Sequence, residues 1–184
     1  SFSGTDATNN TLFGKDAGND ITTGDFNVAV GSAMADADDG DYNSAIGYRA
    51  LRNLQSGGDY NTGIGAYALT NCTTGYANHA IGYGTLDNVT TGIRNIAIGT
   101  GAGDTITTGS SNMYFGRNAD ASSNSVGEEL VFGQGLTGKG TSTFFVAGTP
   151  YNSQNNSSWS TTSDERVKKN IVDNNIGLDA INQI

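Results

Sequence analysis

The chain has 184 residues, with 9 Lys and Arg against 18 Asp and Glu and a formal charge of −9. Residues 1–162 carry −8 of it (six basic, fourteen acidic) without any Lys/Arg cluster, which argues against nucleic acid as a partner. No run approaches the ~18 apolar residues of a transmembrane helix, so no membrane span is expected. Leu, Ile, Val and Phe number 35, about 19% of the chain, just below the level where disorder becomes a serious reading.

A regular repeat argues against disorder. Asn recurs at positions 10, 27, 43, 61, 78, 95 and 112. Four residues after each stands a glycine (Gly14, Gly31, Gly47, Gly65, Gly82, Gly99, Gly116), and Gly133 continues the column although Glu129 has replaced its Asn. The glycine spacings are 17, 16, 18, 17, 17, 17 and 17. A fixed period of this length means one supersecondary unit stacked on copies of itself. The predicted body is all-β, a parallel β-solenoid or β-roll spanning residues 1–148.

Each copy opens on a short strand, as in Asn95-Ile96-Ala97-Ile98-Gly99. Three apolar columns are expected to point inward. The first is Phe13, Val30, Ile46, Ile64, Ile81, Ile98, Phe115 and Phe132; the second is Met34, Leu51, Leu69 and Leu86; the third is Ile21, Leu54, Cys72, Val89 and Ile106. The small column Ala29, Ala45, Gly63, Ala80 and Ala97 is expected on a face where another backbone comes close. Association along the long axis as a homotrimer is expected on that face, because one chain has little apolar surface to bury. At the corners, Gly24, Gly40, Gly58, Gly75, Gly92 and Gly109 are expected to supply positive φ.

Several residues invite a chemical role and are assigned a structural one. Cys72 falls in a core column and has no partner for an intrachain disulfide. The recurring Asn is expected to build a ladder of side-chain hydrogen bonds between coils. Asp36, Asp38, Asp39 and Asp41 lack the ligand spacing of a calcium loop, since Gly40 and Gly47 stand where ligands are needed. Glu128 and Glu129 are adjacent, so in a strand they face opposite ways and make no catalytic pair. His79 has no cysteine or second histidine beside it. No cofactor and no metal are expected. The tyrosines near the corners (Tyr42, Tyr48, Tyr60, Tyr67, Tyr76, Tyr83) read as corner packing, with carbohydrate or protein recognition as the alternative.

The pattern stops after Pro150. Residues 149–162 are rich in Ser and Asn and read as a linker or cap. Residues 163–184 begin Ser163-Asp164-Glu165-Arg166-Val167-Lys168-Lys169-Asn170-Ile171, and Leu178, Ile181 and Ile184 predict a helix starting after Gly177. The opening Ser1, without Met or a signal-like segment, reads as the start of a fragment of a longer protein.

That charged run resembles the opening of the endosialidase-type intramolecular chaperone domain that ends many phage tail spikes and tail fibres. The family begins Ser-Asp-x-Arg-x-Lys-x-Asn-Ile, and every fixed position is matched over the last 22 residues. The resemblance implies a domain that helps three chains assemble and then cuts itself off through a Ser–Lys dyad. Carried over, the scissile bond is Thr162–Ser163, Ser163 is the nucleophile and Lys168 the general base. The family domain is several times longer, so this chain holds only its beginning. The Asn-x-Ala-Ile-Gly repeat, over residues 10–135, is similar to the head repeats of trimeric bacterial adhesins and to repeats in phage fibre shafts. Together these imply a homotrimeric phage tail fibre or tailspike in the virion that contacts a host-surface glycan or protein, with no turnover chemistry. A trimeric bacterial adhesin head and a glycan-depolymerising tailspike are the alternatives.

Overall fold

A computed structural model describes residues 8–146 apart from residue 38. Nine strands of three residues each follow one another: β1 Thr11–Phe13, β2 Val28–Val30, β3 Ser44–Ile46, β4 Thr62–Ile64, β5 His79–Ile81, β6 Ile96–Ile98, β7 Met113–Phe115, β8 Leu130–Phe132 and β9 Phe144–Val146. They form one sheet in sequence order, every neighbour parallel and in register, as in Ala80 opposite Ala97 and Ile81 opposite Ile98. One strand per turn of chain makes each repeat a coil, numbered here after its strand. The fold is the parallel β-solenoid that the period predicts, with no helix among the described residues.

Backbone hydrogen bonds join each coil to the next outside the strands as well. Gly82 N donates to Ile64 O at 2.8 Å, Leu69 N to Thr85 O at 3.1 Å and Thr73 N to Thr90 O at 3.0 Å. The polar backbone is therefore satisfied along the stacking direction, which is what allows such short strands to persist.

Two of the three expected apolar columns are core. Met34, Leu51, Leu69 and Leu86 are fully buried, and so are Ile21, Leu54, Cys72, Val89 and Ile106. The first column is not. Ile46, Ile64, Ile81 and Ile98 point outward with Phe13 and Phe132, while Ala29, Ala45, Ala80 and Ala97 are completely buried. The expectation had the two sides of the strand reversed. The reason is space: a side chain at Gly63 would meet Leu51 Cγ and the Ala68 carbonyl, both at 3.2 Å. The coil interior is filled from the opposite side by leucine, so only a small residue fits on the strand.

Where the strand position does grow, another position shrinks. Leu12 occupies the alanine column in coil 1, and Gly18 replaces the inner leucine, with the Leu12 Cδ2 methyl 2.8 Å from where a Cβ would sit. Tyr114 does the same in coil 7, facing Gly103 of coil 6. Core volume is thus conserved between neighbouring coils.

The corner glycines also act differently from expectation. Gly24, Gly40, Gly75 and Gly92 carry no positive φ. What they provide is close approach: a Cβ on Gly24 would lie 2.6 Å from Gly40 O, and one on Gly40 would lie 2.6 Å from Gly58 O. The left-handed backbone falls instead on the residue before each rung, at Phe26, Tyr42 and Tyr60 (φ 57° each), Ala77 (54°), Arg94 (57°), Ser111 (62°) and Glu128 (58°).

Candidate assembly face and the buried rungs

The recurring asparagines form the expected ladder, half-buried at Asn10 and fully buried from Asn27 to Asn112. The backbone N–H of each donates to the side-chain oxygen of the previous one: Asn43 N to Asn27 Oδ1 at 2.8 Å, Asn61 N to Asn43 Oδ1 at 2.8 Å, Asn78 N to Asn61 Oδ1 at 2.9 Å. Each Nδ2 donates to the carbonyl of the following corner, as Asn61 to Gly75 at 2.8 Å and Asn78 to Gly92 at 2.8 Å. Asparagine suits this because one side chain carries both an acceptor and a donor. A fully satisfied buried amide is structural and offers nothing to a ligand.

Glu129 continues the column with a carboxylate that is 1% exposed. Its N–H donates to Asn112 Oδ1 at 2.9 Å. Its carboxylate accepts from Gly140 N (2.7 Å), Ser122 N (3.1 Å) and the Tyr114 hydroxyl (3.2 Å). Burial first, and the Glu129 charge second, push the Tyr114 hydroxyl far above the ordinary phenol range. Glu128 lies on the other side, exposed, and accepts from Ser142 Oγ at 2.8 Å. Both glutamates precede β8, and the left-handed backbone at Glu128 (φ 58°), not strand alternation, turns the two side chains apart.

The acidic residues are dispersed among scaffold contacts. Asp36 pairs with Arg52. Asp39 accepts from the hydroxyls of Thr23 (2.5 Å) and Thr22 (2.8 Å), which lower its pKa. Asp41 accepts from Asp25 N at 2.7 Å. Among the described residues no three His, Cys, Asp or Glu side chains are grouped to hold a metal. His79 is exposed at the start of β5, beside Thr62 and Ile96 in the neighbouring strands. Burial pushes the Cys72 thiol up to about 12, against a weaker opposing hydrogen bond from its sulfur to Gly75 O. That leaves an unreactive core side chain.

The feature that sequence reasoning missed is the outer face of the sheet. With the alanines inside, alternation turns the residues on either side of them outward. Val30, Ile46, Ile64, Ile81, Ile98, Phe115 and Phe132 form one row, with Val28, Ile96, Met113 and Leu130 beside it. Ile81 and Met113 are each 41% exposed and Phe13 75%. No charged residue occurs within any of the nine strands, although the chain carries −9 overall.

Two ladders of rings flank this face. At the N-terminal ends of the strands Phe26, Tyr42, Tyr60 and Tyr76 follow one another, the first three stacked at 4.9 Å and the last edge-on at 5.4 Å. At the C-terminal ends Tyr48, Tyr67 and Tyr83 meet edge-to-face at 5.4 and 5.6 Å, with the Arg49 guanidinium 5.1 Å from the Tyr48 ring centre. Such contacts are worth about 0.5–1.5 kcal/mol each beyond area burial.

Nine strands at about 4.8 Å spacing make the face ~38 Å long, and three residues at ~3.3 Å make it ~10 Å wide. Its projected area of about 380 Å² lies within the ~300–600 Å² of the largest apolar patch on a typical monomer, a patch size that is often functional. The arrangement can bind apolar surface.

Thr162, Ser163, Lys168, the linker and the predicted tail helix lie outside the described residues. Compared with known proteins, the chain matches no family model, no curated protein and no solved structure.

Proposed function

We propose that this chain is a structural and adhesive part of a phage tail fibre or tailspike, a homotrimer that projects from the virion and contacts a host-surface glycan or protein. The observation that carries the reading is the long, uncharged apolar face on an acidic, regularly repeating rod. Like-charged chains repel, so copies meet best where they carry no charge. The same face suits the head of a trimeric bacterial adhesin; the string from Ser163 to Ile171 is what favours the phage reading.

The tail adds a single self-processing event. Ser163 Oγ attacks the Thr162 carbonyl carbon while Lys168 takes the hydroxyl proton. The Thr162–Ser163 C–N bond breaks as Lys168 returns that proton to the Ser163 nitrogen, leaving Thr162 esterified to Ser163 Oγ, and water hydrolyses that ester. A lysine can act as base here only with a lowered pKa, as in a desolvated site.

Native mass followed by the intact mass of the denatured chain tests the reading. A trimer of 184-residue chains supports the fibre, and a trimer of chains ending at Thr162 supports both fibre and cleavage. A monomer at all concentrations overturns it. When the tail is followed by a complete chaperone domain, Ser163→Ala and Lys168→Ala should each leave the polypeptide uncut with assembly retained. Cleavage at the same bond in both variants would refute the dyad.

A further inference from the structure

We infer that the two aromatic ladders are the halves of one seam between neighbouring copies. The ladder at the N-terminal ends of one protomer's strands packs, parallel and in register, against the ladder at the C-terminal ends of the next protomer's strands. The inference rests on the self-association proposed above and specifies how copies are oriented within it.

The rings are not needed to build the corners they occupy. Phe26, Tyr42 and Tyr60 hold φ of 57° before their rungs, and Ala77, Arg94 and Ser111 hold 54°, 57° and 62° at the same place. The backbone therefore turns identically without an aromatic side chain. On the other edge, Tyr67 (63°) is matched by Gly101 (62°) and Asn118 (53°). Half of each ring's surface nevertheless stays in water at Tyr42, Tyr48 and Tyr60, all 47% exposed.

Both ladders occupy the same stretch of the rod. The first covers coils 2 to 5 through Phe26, Tyr42, Tyr60 and Tyr76; the second covers coils 3 to 5 through Tyr48, Tyr67 and Tyr83. Beyond coil 5 both edges turn polar together, with Arg94, Ser111 and Glu128 on one and Thr100, Arg117 and Gln134 on the other. In a parallel ring of copies, opposite edges of adjacent protomers meet at the same height. Rings then meet rings in coils 3 to 5, and Glu128 lies one coil from Arg117 of opposite sign. A two-fold antiparallel pair centred on coil 5 would instead set coils 6 to 8 against the aromatic coils 2 to 4. That arrangement leaves the rings of coils 2 to 4 without ring partners and sets Glu128 beside Asp25 of like charge. The match of edges favours the parallel, heterologous arrangement.

The test uses the whole chain with two tags that differ in mass. Tyr60→Cys is made in one version and Tyr67→Cys in the other, and the two are co-expressed and mildly oxidised. Cys72 is buried and contributes no background. The expected result is a disulfide-linked pair joining the two tags, at least tenfold above the same-tag product of either variant alone. Tyr42→Cys with Tyr48→Cys repeats the test one coil away, should the first pair disturb folding by circular dichroism. An oligomer of normal mass without mixed-tag links, or with same-tag links equally abundant, overturns the seam while leaving self-association standing. In that case the ladders are free for a glycan or a protein receptor. A monomer overturns the seam and the proposed fibre together.

Discussion

In coils 2 to 7 the buried polar position is an asparagine; in coil 8 it is Glu129, and the two regions behave differently along the stack. Each amide accepts the N–H of the next rung and donates to the corner carbonyl just before that rung, so the pattern can repeat without limit. A carboxylate only accepts. Glu129 takes the N–H groups of Gly140 and Ser122 and the Tyr114 hydroxyl, and it has no donor for the corner carbonyl that precedes coil 9. There Thr143 occupies the rung position and bonds locally to Gly140 O at 2.6 Å. The comparison teaches that the same column can propagate a repeat or terminate it, depending on whether the side chain is a donor as well as an acceptor.

The largest test of this comparison is Asn78→Ala. It strips Asn95 N of its acceptor and leaves Gly92 O without its donor, while Asn95 Nδ2 keeps Gly109 O. With ~1–3 kcal/mol for each buried group left unsatisfied, a loss of about 4 kcal/mol is expected, read as a lower denaturation midpoint at unchanged slope. A loss below about 1 kcal/mol would mean the ladder is incidental to stability. Glu129→Gln is milder, at about 2 kcal/mol, because one amide NH2 must face a backbone N–H that the carboxylate had accepted. Should Glu129→Gln cost more than Asn78→Ala, the terminal rung and not the repeating ladder dominates stability.

A third test separates the regions by pH. In coils 5 and 6 Asp87 lies against Asp104, and Asp87 Oδ1 is buried without a hydrogen-bond partner among the described residues. Burial first, and Asp104 second, raise Asp87 from 3.8 to about 7. The folded state therefore binds more protons than the unfolded one between about pH 4 and 7, and stability falls as pH rises through that window. Asp87 is only half-buried, so screening limits the fall to about 1 kcal/mol. Melting curves at pH 5 and pH 8 should differ accordingly, and Asp87→Asn should remove the difference. A pH 8 sample as stable as one at pH 5 would refute the shared proton. The smallest expected effect is Tyr114→Phe, which removes one of three donors to Glu129 and should cost slightly under 1 kcal/mol in a thermal melt.

The period, the parallel stacking, the Asn ladder and two core columns were legible in the sequence, because each is a regularity that survives without knowing the chain's path. The orientation of the strand was misread by giving isoleucine priority over alanine for the interior. Alternation held the answer: with Asn95 buried, Ala97 is buried and Ile96 and Ile98 must face out. The apolar face followed from that one reversal. The left-handed corners at Phe26, Tyr42 and Tyr60 were not legible, since bulky residues at positive φ are outliers that only a surrounding scaffold can impose. Nor could adjacent Glu128 and Glu129 reveal that the second would be buried with three donors arranged around it.

The hydrogen bonds that join one coil to the next run along the rod, and this fixes how it answers a pulling force. Tension applied to the two ends of the stack loads these bonds lengthwise, so they open a coil at a time from an end rather than all at once. Each opened coil releases about 17 residues, up to ~60 Å of extended chain, while removing only ~4.8 Å of rod. Such a rod lengthens in steps under load and closes again coil by coil. It would absorb a sudden pull without breaking whatever attachment it has at either end.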